Sequence, residues 1–501
     1  MVDYQIPITY VVSASAVTPQ QGLEPLKLST VLLLTTDEPV AALNGSYITT
    51  KTVTGGTQYF GTETETAMQL QAIFAQQPNI LANDGYVIIA PLLTNTVITP
   101  ATAGTLTTKD LSSNLAALIA VSNGDLKLTI DGTATTLTDI DLTGATTLAD
   151  VAEAIQEKTS DVLITVEDDK IIFRSQTTGT TSSVTISAAS GTGTDLYGSS
   201  YLDGANATAV SGTAAVTGTE TISAAITRLA KEIYFEGILT TKAADDAEMI
   251  AASNLVQSLQ NRVLPLPRSN SSALSGIFAT VQNNTNTKCL YYSYGENPAQ
   301  NARIFAAAYL SKAMSVNYNG SNTTMTMNLK DLAIIQADTN ISESIYNQCA
   351  AAGADCFPSI EGLAKVISNS QGGMFFDQVL NQIWFVNTIQ RNVFNVLATT
   401  RTKIAQTDAN LEIITKTIRQ VCNQAVTNNY IAPGTWNSSD TFGNYNDFYR
   451  NIEEFGYYIY HQPVAEQSQT ERQARKAPVY QIAAKESGAV HSANILIYIE
   501  A

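Results

Sequence analysis

Two histidines, His461 and His491, are all the imidazole in 501 residues. Histidine is the usual general base and metal ligand at neutral pH, but both stand in the C-terminal region without a nearby cysteine or clustered carboxylates. Cys289, Cys349, Cys356 and Cys422 lack metal-ligand spacing and are too few for a disulfide framework, so they read as reduced and partly buried. Glu453 and Glu454 are consecutive and point differently, so they make no acid–base pair. Asp139 with Asp141, and Asp168 with Asp169, lack the Gly-6 and Glu-12 pattern of a calcium loop and read as solvated turns. Gly191 and Gly193 have the wrong spacing for a phosphate loop, and no GxSxG, HExxH, Walker A or GxGxxG motif occurs. Arg472, Arg475 and Lys476 form a compact basic group, suited either to a solvated face or to an acidic surface on another subunit. These residues define no catalytic site, cofactor or metal, and they argue against an enzyme.

The elements are more informative. The stretch YFGTETETAMQLQAIFAQQPN followed by GYVIIAPLL predicts a helix capped by Thr62 or Thr64, with Glu65 at its positive end. Met68, Ile73 and Phe74 are expected on its buried face, and Pro78 ends it. Val87 to Ala90 is a continuous apolar run, as a strand covered on both faces would be. Thr30 to Leu34 reads as the first core strand, followed by Pro39 and a short helix to Leu43. After Leu93 the pattern stops, and nothing similar resumes until Ile233–Leu239. A core sheet interrupted by more than a hundred residues is expected.

The interrupting segment is acidic. Residues 101–220 carry −10 of the formal net charge of −17. Alternation at Leu126, Leu128 and Ile130 into Asp131-Gly132 predicts a hairpin, Thr147 and Asp150 cap a helix through Ile155, and Val162–Val166 pairs with Ile171–Phe173. A small β-rich domain with one helix, on the outside of the molecule, is expected. Beyond it, helices at Thr221–Lys231, Ala243–Arg262 and Asn297–Met314 alternate with strands at Ile233–Leu239, Ile277–Phe278 and Cys289–Tyr292. Leu264–Pro267 reads as a helix terminator, and Ala354–Phe357 as a short strand. Val379, Ile383, Val386, Ile389, Val393 and Leu397 make one helical stripe; Leu411, Ile414, Ile418, Val421 and Ala425 make another. The two are expected to pack as a hairpin, with Trp384 and Phe385 in the core. Phe455–Tyr460 reads as a strand.

Both ends of the chain are strand-like. Val2 to Val12 alternates with period two, with Tyr4, Ile6, Ile8 and Tyr10 on one face and Pro7 limiting it to an edge. It can pair within its own fold or with a neighbour. A linker-like stretch, Ser13–Gly22, follows. At the other end Ile495, Leu496, Ile497, Tyr498 and Ile499 form a strand that must be covered.

Only 14% of residues are charged, low against the usual quarter, so much of the surface is expected to be neutral and polar. The negative charge argues against a nucleic-acid partner. No run is long enough to span a membrane, and the N-terminus does not read as a signal peptide, so folding in the cytoplasm is expected.

In order and kind, these parts resemble the tail sheath proteins of contractile-tailed (myovirus-type) bacteriophages. The resemblance rests on YFGTETETAMQLQAIFAQQPN with GYVIIAPLL, on LKLTIDG and IIFRSQTTGTTSSV in the insertion, on KEIYFEGILTT after it, and on the terminal NILIYIE. It implies a mixed, layered α/β core built from N- and C-terminal parts, an inserted β-rich outer domain and extended terminal arms. The expected division is an arm at 1–22, core at 23–98, insertion at 99–220, α/β domain at 221–370, C-terminal inner core at 371–488 and a second arm at 489–501. It further implies a homo-oligomer of hexameric rings stacked helically around a tail tube protein, with baseplate and tail terminator proteins as partners, in a virion tail assembled in the host cytoplasm. Contraction would drive the tube into the host envelope without a nucleotide. Tyr4, Ile6, Ile8 and Tyr10, with Ile495 to Ile499, would then pair with strands of neighbouring subunits, and Arg472, Arg475 and Lys476 would meet a subunit or the tube. A surface or flagellar-type filament or adhesin subunit is the alternative reading of the same composition.

Overall fold

Strand β1 (Val31–Thr35) is buried along its whole length, because helices cover both faces of its sheet. The computed structural model describes residues 23, 28–43, 45–94 and 96–493. The N-terminal strand with Tyr4, Ile6, Ile8 and Tyr10, the linker Ser13–Gly22 and the terminal strand Ile495–Ile499 lie outside the described residues. The chain divides into two compact units, one of residues 1–92 with 222–501 and one of residues 93–221.

In the first unit β2 (Ile48–Thr50), helices α1 (Val53–Phe60) and α2 (Glu65–Ala75) and strand β3 (Val87–Pro91) follow β1. After the second unit come α3 (Ile222–Leu229), β4 (Gly237–Thr240), α4 (Asp246–Leu259), β5 (Leu264–Arg268), β6 (Thr287–Tyr291), α5 (Pro298–Ala313), α6 (Glu343–Ala352) and β7 (Asp355–Cys356). Strands β4, β1 and β3 run parallel, with β2 antiparallel on the far side of β3. Alternate side chains feed two cores, as the strand period requires. Val31, Leu33, Val87 and Ile89 pack with α2 and α5, while Leu32, Leu34, Ile88 and Ala90 pack with α3 and α4.

A second parallel sheet, β5-β6-β7, meets the first at a single parallel bridge between Gly237 and Val263. The sequence explains why the ladder stops there. Val263 donates to Glu236 and its carbonyl accepts from Ile238, so it faces β4; Leu264 donates the other way, to Asn286 near β6. The next positions aimed at β4 are Pro265 and Pro267, which have no N–H to give. Leu264–Pro267, expected to be only a helix terminator, is therefore a strand with one paired edge.

Four further expectations are corrected. Residues 233–236 stay outside the ladder, so that strand starts at Gly237, and Ile277–Thr280 is a helical turn. The residues before Leu43 form bends. Met68 is 37% exposed, and the buried face of α2 is Ala67, Leu70 and Ile73 instead. Thr64 is the cap, its hydroxyl accepting from Ala67 N. All four cysteines are free and buried.

The C-terminal part of this unit holds α7 (Phe376–Thr399) and α8 (Asp408–Thr427), then α9 (Tyr445–Phe455), β8 (Tyr457–His461), α10 (Gln469–Gln473) and β9 (Tyr480–Ala484). Helices α7 and α8 pack on each other as the expected hairpin, Trp384 and Phe385 with Ile389 and Val393 of the α7 stripe meeting Leu411, Ile414, Ile418 and Val421 of α8, while Val379 and Ile383 join the other core. Of that stripe only Val379 and Ile383 are fully buried; Val386 and Leu397 are about half exposed.

The second unit has its own core. The hairpin of Gly124–Ile130 with Thr133–Ile140 pairs with Val184–Ser187 and Thr194–Asp195, and a second sheet orders Thr208–Val210, Thr105–Thr107, Lys170–Ser175 and Val162–Glu167. Both hairpin turns, Asp131-Gly132 and Asp168-Asp169, have positive φ at both central residues, as a tight two-residue turn needs. The Leu148–Gln156 helix starts with a capping box of Thr147 and Asp150. Hydrogen bonds from Thr146 and Thr147 hold the Asp150 carboxyl down at about 2. The Gly191–Gly193 loop wraps the buried Asp125, which accepts from Gly193 N at 2.8 Å; a Cβ at Gly191 would lie 1.9 Å from that carboxylate. Entry and exit strands, Thr96–Thr99 and Val216–Gly218, pair antiparallel. Just outside them Glu220 N donates to Leu93 O at 2.7 Å.

Candidate assembly surface

The two strands β8 and β9 form a sheet of their own. Lys485 N donates to Gly456 O at 2.8 Å, one step before Tyr457 pairs with Ala484. In an antiparallel ladder hydrogen-bonded pairs alternate, so Tyr458 with Ala483 and Tyr460 with Gln481 bond inward. The peptide groups of Tyr457, Ile459 and His461 on one edge, and of Tyr480, Ile482 and Ala484 on the other, point outward. Neither edge is paired with a further strand among the described residues.

The ribbon's faces are both occupied. Tyr458 and Tyr460 join an aromatic cluster with Phe442 and Phe448, whose ring centroids lie 5.3–6.5 Å apart. Tyr457, Ile459, Tyr480 and Ile482 face the α7–α8 hairpin, with Tyr480 donating to Leu411 O at 3.0 Å and Tyr457 to Asn423 at 2.6 Å. Packing thus fixes the ribbon in place and leaves its edges as the open groups.

Arg472, Arg475 and Lys476 lie together in the β8–β9 connection, at and just beyond α10. All three are exposed. Their side chains make no ion pair or hydrogen bond among the described residues. Arg475 takes φ of 55°, which turns the chain after α10.

Sequence reasoning missed how the chain ends are fastened. Asn395 on α7 holds the backbone of Leu23 from both sides, accepting from its N–H at 2.6 Å and donating to its carbonyl at 2.9 Å. At the other end Ser487 N donates to Tyr430 O, and Ala432 N donates to Lys485 O. His491 stands edge-on to Phe375 at 4.5 Å, with Nε2 2.9 Å from Thr326 Oγ1. Both ends of the described chain therefore run over α7. One asparagine in a polar helix face gives no local signal of this, because its partner lies 372 positions away.

The carboxyl ends of β4 and β5 border a cavity of about 260 Å³, the place where layered parallel sheets commonly hold ligands. Its cations are already matched. Lys242 meets Glu248 at 2.8 Å, Arg268 meets Asp246 at 3.0 Å, and Arg303 grips both oxygens of Glu65 at 2.7 Å. No group of three or more His, Cys, Asp or Glu side chains suited to a metal occurs among the described residues. No helix among them is long and apolar enough to cross a membrane.

Two family models match the chain. Residues 376–499 match the C-terminal domain described as E217 tail sheath protein gp31-like, and residues 101–217 match the insert domain of E217 tail sheath protein gp31. The chain thus carries two separate segments of the contractile-tail sheath type, and the resemblance read from its motifs stands. Solved structures also align over most of its length. The anti-feeding prophage baseplate in its contracted state aligns at 12% identity and TM-score 0.48, over 99% of this chain and 98% of that one. The anti-feeding prophage helical sheath in its contracted state gives 9% and 0.46, over 98% of each chain. A sheath tail protein from Listeria innocua gives 11% and 0.43, over 92% and 96%. No curated protein sequence matches the chain.

Proposed function

We propose that this protein is the structural subunit of a phage-type contractile tail sheath. Subunits polymerise as hexameric rings stacked helically around a tail tube, between a baseplate and a tail terminator, and contraction drives the tube through the host envelope. The observation that carries this reading is the β8–β9 ribbon, a two-stranded sheet packed on both faces and, among the described residues, open along both edges. Two strands alone are marginal, and added strands complete such a sheet through main-chain hydrogen bonds. Residues Tyr4 to Tyr10 and Ile495 to Ile499 of neighbouring subunits supply those strands. The ribbon and its added strands then act as a joint that stays paired while the bodies rotate. Arg472, Arg475 and Lys476, on the connection beside that joint, meet acidic groups of a neighbour or of the tube. The subunit works by stored conformational energy set at assembly, with no catalytic step.

Electron microscopy of the purified full-length protein tests this. Hollow striated tubes are expected. A variant lacking Met1–Ala14 or Asn494–Ala501, or carrying Ile497→Pro, is expected to keep the wild-type circular dichroism and stay dispersed. Thin solid filaments would instead favour a surface-filament subunit, and tubes formed equally well by all the variants would remove the strand-exchange joint.

A further inference from the structure

The root of the C-terminal segment crosses the first turns of α7 and closes a pocket of about 150 Å³. Asp377 and Asn381 stand on one face of α7, four residues apart, which brings their side chains together. Opposite them is Glu486, aimed by two neutral donors: Tyr430 Oη at 3.0 Å from one carboxylate oxygen and Gln378 Nε2 at 2.7 Å from the other. Each oxygen keeps a lone pair for a further partner.

This pocket has more acceptors than cations. Neither Asp377 nor Glu486 meets a basic side chain within ion-pair distance among the described residues. The chain outside the described residues has only Lys27 and the amino terminus to offer. Asn381 is an independent sign. It is 7% exposed and lines the same pocket, yet its carboxamide makes no hydrogen bond among the described residues.

We propose that this pocket binds a hard divalent cation of the calcium or magnesium class, held by the Asp377 and Glu486 carboxylates and the Asn381 carbonyl oxygen, with water completing the shell. All three donors are oxygen, which suits such ions and disfavours softer metals. Because Glu486 opens the segment leading to the C-terminus, the ion fixes the point from which that segment leaves α7. The site goes beyond the sheath reading and does not depend on it.

The test uses the full-length protein, stripped with a chelator and titrated with calcium, magnesium or terbium chloride against sodium chloride at matched ionic strength. Melting temperature is expected to rise with calcium or magnesium, and tyrosine-sensitised terbium emission to appear. Asp377→Asn, a near-isosteric change that keeps the fold, is expected to lose both. Asn381→Asp, which adds a charged ligand, is expected to tighten binding by about tenfold. The absence of any response beyond the sodium control, or an equal response in Asp377→Asn, would overturn the site. Unchanged or weaker binding in Asn381→Asp would remove Asn381 from the ligand set.

Discussion

Lys288 and Asp355 are buried together between β6 and β7, 2.6 Å apart and with side chains 2% and 0% exposed. The pair is held in a full set of partners. Asp355 accepts from Tyr309 Oη, Ser368 Oγ and Asn369 N, and Lys288 donates to the carbonyls of Gly353 and Asn369. Removing one member strands the other charge in the core. Lys288→Met is therefore expected to destabilise the first unit by about 3–5 kcal/mol, read from urea unfolding. The same contact holds the Tyr309 hydroxyl protonated, since burial and then the Asp355 charge raise it far above its ordinary range. None of this was legible in the sequence. Lys288 reads as one charge ahead of an apolar strand, and its partner is far along the chain. By contrast Asp150, whose partners Thr146 and Thr147 are adjacent, could be named from spacing alone.

At the level of elements, local chemistry was legible and pairing between distant segments was not. The cap of α2 was visible because Thr64 and Glu65 act on their own helix. Thr64→Ala is expected to cost about 1 kcal/mol, seen as a lowered urea midpoint at unchanged slope. The strand β5 was hidden because Pro265 and Pro267 are normally strand breakers, and only the side they face makes them tolerable. The exposure of Val386 and Leu397 in the α7 stripe was hidden for a related reason. Apolar spacing of three and four says which residues share a face, but not how far along the helix that face is covered. The candidate joint was half visible. Phe455–Tyr460 announced a strand, but its having no third partner among the described residues is a property of the sheet and not of any one segment. Asn395 and His491, which fasten the chain ends, carry no pattern at all.

Across the whole molecule, the switch from helix–strand alternation to period-two strands near residue 99 was readable because each pattern repeats several times. Residues 93–221 have their own two sheets, their own apolar core and paired entry and exit strands. Expressed alone, this segment is expected to fold, and the full chain to melt in two calorimetric transitions with the isolated segment reproducing one of them. A single transition shared by all 501 residues, with a disordered isolated segment, would show that the two units depend on each other for stability. This segment also carries most of the negative charge, −10 of the formal −17.

The hydrogen bond from Glu220 to Leu93 holds the two ends of the second unit against each other. A graft needs only adjacent ends to be spliced there, so an unrelated domain with neighbouring termini could replace residues 96–218. Each subunit would then present one copy of a foreign payload, and any regular polymer of the chain would become a display lattice with that payload at fixed spacing.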